Sequence, residues 1–148
     1  MKKLSFLLLT LVALGGCKKD DNNTPGMSPT ELLTAKNWRV STFSVTAAGQ
    51  PYPAVLDPCD KDNYLKFNTD KTLIVDEGPT KCDPTNAQTE KGTWSMPSAD
   101  KLTITAPNLP VSGGTFDIKE LSATTLHLYI SDSQSGTPLT ADVTLTAF

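Results

Sequence analysis

From Trp38 to Phe148 the sequence is punctuated into eight short runs of β-branched and aromatic residues in near alternation, each bounded by Gly, Pro, Asn or Asp. A period of two is the mark of strands with one buried face. The runs lie near Trp38 to Ala47, Asn63 to Asn68, Thr72 to Glu77, Gln88 to Met96, Leu102 to Ala106, Thr115 to Leu121, Thr125 to Ser131 and Leu139 to Phe148. Connections such as Thr69-Asp70-Lys71 and Ser122-Ala123-Thr124 are hairpin-length, so neighbours in sequence should be antiparallel neighbours in space. A meander of this length has to close or fold over to protect its edges, which leaves a barrel or a sandwich. The barrel is favoured: all-β, eight-stranded, antiparallel and up-and-down.

Ahead of the strands, Ser28-Pro29-Thr30-Glu31 has the capping-box pattern with Pro at the first helical position, and a short helix over Pro29 to Lys36 is expected. The alternation assigns about two large apolar residues per strand to the interior. They are Trp38 and Val40, Leu65 and Phe67, Leu73 and Val75, Trp94, Leu102 and Ile104, Phe116 and Ile118, Leu126, Leu128 and Ile130, then Val143 and Leu145. An eight-stranded barrel has an interior that side chains just fill or that holds one small ligand. Two large layers would plug one end and leave the other to smaller groups, so Trp38, Phe67, Trp94 and Phe116 are the candidate ligand-lining residues. A Trp near the first strand is also a natural structural plug beneath such a cavity.

Residues 1–16 read as an address. Lys2 and Lys3 precede an apolar run from Leu4 to Leu14, the shape of a secretory signal. As a helix this run would cover about 16 Å of a hydrocarbon core near 30 Å thick, too little to span it. Leu14-Gly15-Gly16-Cys17 resembles the lipobox of bacterial lipoproteins, in which cleavage before the Cys leaves an acylated N-terminal residue. On that reading Cys17 carries the lipid, residues 17–28 form a flexible tether, and residues 29–148 form the folded domain. The alternative is an ordinary secreted protein cut near Gly15. Several acyl chains hold a protein on a bilayer where one attaches it only reversibly. Loss of Lys2 and Lys3 would take the net charge from −3 to −5, which leaves no electrostatic footprint for nucleic acid. The Cys17-Lys18-Lys19-Asp20-Asp21 start also looks like the charged export signals of some surface lipoproteins, against a plain solvated linker. The expected location is the outer membrane, lipid-anchored, on its periplasmic or cell-surface face.

Cys59 lies eleven residues before Asp70 and Cys82 twelve after it, so they flank the hairpin centred on Asp70 almost symmetrically. Antiparallel pairing would bring them together as a disulfide, as suits an exported protein. A metal site built on these cysteines and Asp57, Asp60, Asp62 or Asp83 is the rival. It lacks ligands: there is no Cys-x-x-Cys, His127 is far away in sequence, and Asp60-Lys61-Asp62 fails the calcium-loop pattern. No metal and no cofactor beyond the lipid is expected. His127 alternates against Leu126, Leu128 and Ile130 and is expected on the strand surface. With one His and no nucleophile elbow, phosphate loop or His-Glu-x-x-His, the chain is not expected to be an enzyme.

Several stretches agree in order and spacing with one family. They are Asn37-Trp38-Arg39-Val40, Cys59-Asp60-Lys61-Asp62-Asn63, Leu65-Lys66-Phe67-Asn68-Thr69-Asp70, Gly92-Thr93-Trp94-Ser95, Phe116-Asp117-Ile118-Lys119-Glu120-Leu121 and Thr124-Thr125-Leu126. Together they resemble the lipocalin-like domain of small bacterial lipoproteins, over essentially all of residues 30–148. The resemblance implies a calycin-type barrel and the binding of a small ligand; where lipocalins proper carry Gly-x-Trp at the first strand, this chain has Lys36. Two functions are therefore expected. One is a membrane-anchored module holding a small hydrophobic or amphipathic ligand. The other is an accessory envelope lipoprotein whose loops 50–62, 78–87 and 107–114 contact a protein partner.

Overall fold

The structure is a computed structural model that describes residues 26–53, 55–107, 113–134 and 137–148. The proposed signal peptide, Cys17 and most of the tether lie outside the described residues. A helix α1 (Pro29–Thr34) precedes nine strands: β1 (Asn37–Ala47), β2 (Gln50–Pro53), β3 (Tyr64–Phe67), β4 (Thr72–Asp76), β5 (Thr89–Ser98), β6 (Lys101–Thr105), β7 (Gly113–Leu121), β8 (Thr125–Gln134) and β9 (Thr137–Ala147). Strands β3 to β9 form an antiparallel meander, and β1 pairs with both β3 and β9. The sheet is thereby closed into an eight-stranded barrel, with β2 as an extra strand on the outer half of β1.

The helix forms as the capping box dictates. Ser28 Oγ accepts from the Glu31 N–H at 3.3 Å, and the Glu31 carboxylate accepts from the Ser28 N–H at 2.6 Å. These bonds hold the Glu31 carboxyl below the usual carboxylate range. The helix stops at Thr34, two residues short of the expected end. Asn37 is already committed to β1, where it pairs with Lys66 and its carbonyl accepts from the Phe148 N–H. Leu32 and Leu33 are buried, and α1 covers the end of the barrel where β1 begins.

Every residue assigned inward by alternation belongs to the core or packs against it. The alternation changes phase once in β1, at a bulge between Val40 and Thr42. Ser41 is the extra residue, and its hydroxyl donates to the Thr144 carbonyl at 2.9 Å. Beyond the bulge Phe43 faces Val143 and Val45 faces Ala141, residues that β8 pairs with Leu128 and Ile130. Phe43 and Val45 thus join the inward side, where strict alternation would have placed Thr42.

The ninth strand lies in the 50–62 segment expected as a loop, and it holds Pro51 and Pro53. They are tolerated because β2 pairs on one side only. Its hairpin turns through Ala48 and Gly49, both at positive φ (50° and 76°), as the tight turn matching the twist of a β-ribbon requires.

Candidate functional site

At the helix end of the barrel interior lie Trp38, Phe67, Leu73, Trp94 and Leu102, all buried. The Trp38 indole N–H donates to the Leu33 carbonyl at 2.8 Å, tying the first strand to the helix. The Trp94 indole N–H donates to the Asn68 carbonyl at 3.0 Å, its ring meets Phe67 edge-on at 5.7 Å, and Lys71 Nζ stands 3.9 Å over it. Such pairs hold one packing arrangement beyond simple area burial. Small inward residues, Gly92 opposite Leu73 and Ala141 opposite Val45 and Ile130, alternate with these large ones. Gly92 is fixed by crowding, since a Cβ there would lie 2.3 Å from the Thr105 carbonyl oxygen and 2.7 Å from Ala106 Cβ.

A cavity of about 210 Å³ opens where the barrel wall splays. Strand β1 pairs with β3 only at Asn37 with Lys66 and Trp38 with Leu65. Its next partner on that side is β2, from Ser44 onward. Between these contacts β1 and β3 diverge, and the gap is lined by Val40, Leu65 and Val75 together with Trp38, which is itself fully buried. Leu56 and Asp60, from the segment preceding β3, lie across it, and Glu77 and Glu90 complete the wall. Val75 pairs directly with Glu90, and Glu77 follows Val75 by two, so both acids share the inward side of β4 and β5.

The loops at this end are pinned by covalent and polar ties. Cys59 and Cys82 are joined, with Cα atoms 5.2 Å apart. The Asp76 carboxylate accepts from the Gly78 N–H at 2.8 Å, the Gln88 amide at 3.0 Å and the Tyr64 hydroxyl at 3.1 Å. Burial pushes the Asp76 pKa up, but these three bonds outweigh it and hold the carboxyl below its ordinary range. The same bond to Asp76, with some burial, raises the Tyr64 phenol. Asp62 Oδ2 accepts from the Thr80 N–H at 2.9 Å, and Gly78, at a φ of 67°, packs so closely on the Asp62 backbone that no side chain fits. Cys59, Asp60 and Cys82 converge to within 4.8 Å. Both sulfurs are committed to the S–S bond, so this group offers a metal a single carboxylate.

Of the four ligand-lining candidates, Trp38 borders the cavity. Phe67, Trp94 and Phe116 lie in the packed core and do not line it. His127 points outward and pairs with Asp142 at 2.9 Å. Leu56 and Glu90 were not singled out from the sequence, and Glu77, beside Asp76 at a strand end, reads there as a solvated turn charge, although Glu77 and Glu90 stand in step with Val75 and Trp94.

The lipocalin-like domain family matches residues 34–128. The chain belongs to that family. A solved structure, a lipocalin-like protein from Bacteroides uniformis ATCC 8492, is similar with a TM-score of 0.48 and 14% identity, covering 79% of this chain and 99% of that one. No curated protein sequence matches the chain.

Proposed function

We propose that this lipocalin-like protein is a bacterial lipoprotein, anchored through Cys17, that binds a small hydrophobic or amphipathic molecule in its barrel. The observation that carries the binding part is the cavity at the divergence of β1 and β3, where Val40, Leu65 and Val75 present apolar surface beside the fully buried Trp38. Apolar concavities with a few polar groups are where small ligands are held. At about 210 Å³ this one is below the roughly 300–1,000 Å³ of pockets for drug-sized molecules, which points to a compact ligand. The anchoring part is supported by Leu14-Gly15-Gly16-Cys17 after an apolar run, and on this reading the protein sits at the outer membrane with a tether between lipid and barrel. The domain acts by binding, without catalysis and without a cofactor beyond its lipid.

Native mass spectrometry of the intact protein, purified from its host envelope under non-reducing conditions, tests both parts. A stoichiometric mass of a few hundred daltons that is lost on denaturation identifies a carried ligand. A covalent lipid mass on the peptide starting at Cys17 identifies the anchor. A ligand-free barrel would turn attention to the accessory reading, in which loops bind another envelope protein. That reading draws on Tyr52 and Val55, which are 58% and 88% exposed on the 50–62 segment.

A further inference from the structure

The cations on the outside of the barrel fall into two sets. On β6 and β7, Lys101 and Lys119 both pair with Asp117, and on β8 His127 pairs with Asp142. The outer face of β1, β3, β4 and β5 is different. There Lys66 on β3 and Lys91 on β5, both exposed, flank Ile74 on β4, which is the direct partner of each. Arg39 shares the outer side of β1 with Asn37, the partner of Lys66. Among the described residues none of Arg39, Lys66 and Lys91 forms an ion pair, although the chain as a whole carries a net charge of −3. The Arg39 guanidinium lies 4.2 Å over the Phe148 ring, which meets Tyr64 edge-on at 5.7 Å and is 51% exposed. Two acids border this face and both are turned onto their own loops. Asp70 accepts from the Thr72 N–H at 2.9 Å and the Thr72 hydroxyl at 2.6 Å, and Asp76 accepts from Tyr64, Gln88 and Gly78.

Resting on the anchoring reading above, we propose that this face docks on the anionic phosphate headgroups of the membrane that holds the lipid, with Arg39, Lys66 and Lys91 on the phosphates and the Tyr64 and Phe148 rings at the headgroup level. Unpaired cations on one face of an acidic protein are complementary to an anionic surface and to little else on the protein itself. Basic residues beside an anionic bilayer are drawn to it, and amphipathic rings settle at its interface. Ammonium groups on flexible stems act as point charges and need no fixed partner geometry, which suits a fluid array of phosphates better than a shaped protein surface. Ten residues separate Cys17 from the helix cap Ser28, a length that spans at most about 35 Å. The anchor therefore keeps the face within reach of the headgroups and makes docking an intramolecular step.

The test uses the full acylated protein reconstituted in phosphatidylcholine vesicles with and without added phosphatidylglycerol. Amines are briefly acetylated and the labelling is read lysine by lysine by mass spectrometry. Lys66 and Lys91 should label at least about five-fold more slowly on the phosphatidylglycerol vesicles, while Lys101 and Lys119 on the other side of the barrel label equally on both. Salt at about 0.5 M should abolish the difference. In R39Q/K66Q the protection of Lys91 should fall to within about two-fold of the neutral vesicles. If that double variant fails to fold, Lys66→Gln alone and the salt series give the same reading. Equal labelling of Lys66 and Lys91 on the two vesicles, or protection of Lys101 and Lys119 instead, would overturn the docking face and leave the anchor standing, provided the protein floats with the neutral vesicles. Protection of Lys66 and Lys91 that is as strong on neutral vesicles would assign the face to a second copy of the chain and overturn the lipid assignment. Failure to float with the neutral vesicles would overturn the anchoring reading and the docking with it.

Discussion

The Cys59–Cys82 crosslink carries a stability effect that can be worked out from the structure. The bridge closes a loop with a sequence separation of 23, for which the chain-entropy account gives about 3 kcal/mol at 25 °C, because the unfolded chain is denied most of its open conformations. The folded unit of roughly 120 residues unfolds with an entropy of about 250 cal/mol/K, so that loss should lower Tm by about 12 °C. The native barrel should survive the change, because the same two loops are also held by the Thr80–Asp62 hydrogen bond and the close contact of Gly78 with Asp62. The assay is thermal unfolding followed by circular dichroism on the oxidised protein and on C59A/C82A, with and without reductant. The variant should melt about 12 °C lower and ignore the reductant, while the native spectrum at 25 °C is unchanged. Melting curves within 3 °C of each other would refute the reasoning, since the loop would then be closed by something already present in the unfolded chain. A variant without native structure at 25 °C would refute it in the other direction.

The remaining predictions concern the packed end, the rim and the wall. Trp38→Phe removes the buried donor to the Leu33 carbonyl and leaves a gap beside the helix; a loss of about 2–4 kcal/mol is expected in denaturant titration. Gly92→Ala forces a Cβ against the Thr105 carbonyl and Ala106, with no flexible side-chain end to yield, and should cost about 1–3 kcal/mol in the same titration. Asp76 has a folded pKa below its ordinary value of 3.8, so its stabilising contribution is present above that value and is lost as pH falls through the folded pKa. The Tm difference between wild type and Asp76→Asn should therefore be full at pH 7 and shrink below about pH 3.8.

Much of the fold could be read along the chain because its strands are locally encoded. Leu126, Leu128 and Ile130 declare their face by alternation alone, Ser28 and Glu31 declare the helix start by reciprocal hydrogen bonds, and the symmetry of Cys59 and Cys82 about Asp70 follows from antiparallel pairing. The errors fall where a neighbour decides. Residues Gln50–Pro53 become a strand only because β1 has a free edge to offer, and Phe43 turns inward only because a bulge at Ser41 shifts the count. Glu77 and Glu90 could have been placed by parity with Val75 and Trp94, but their charge argued for solvent.

The sequence by itself determined the barrel class, the helix cap, the disulfide pair and the identity of the inward layer, since each depends on spacing within one segment or across one hairpin. Only the tertiary structure decided where the wall opens. That depends on β1 exchanging β3 for β2 partway along its length, a competition between hydrogen-bonding partners that lie far apart in sequence. The same divergence brings Leu56, Glu77 and Glu90 to one cavity beside Trp38, because which side chains border a gap follows from the summed pairing of the whole sheet.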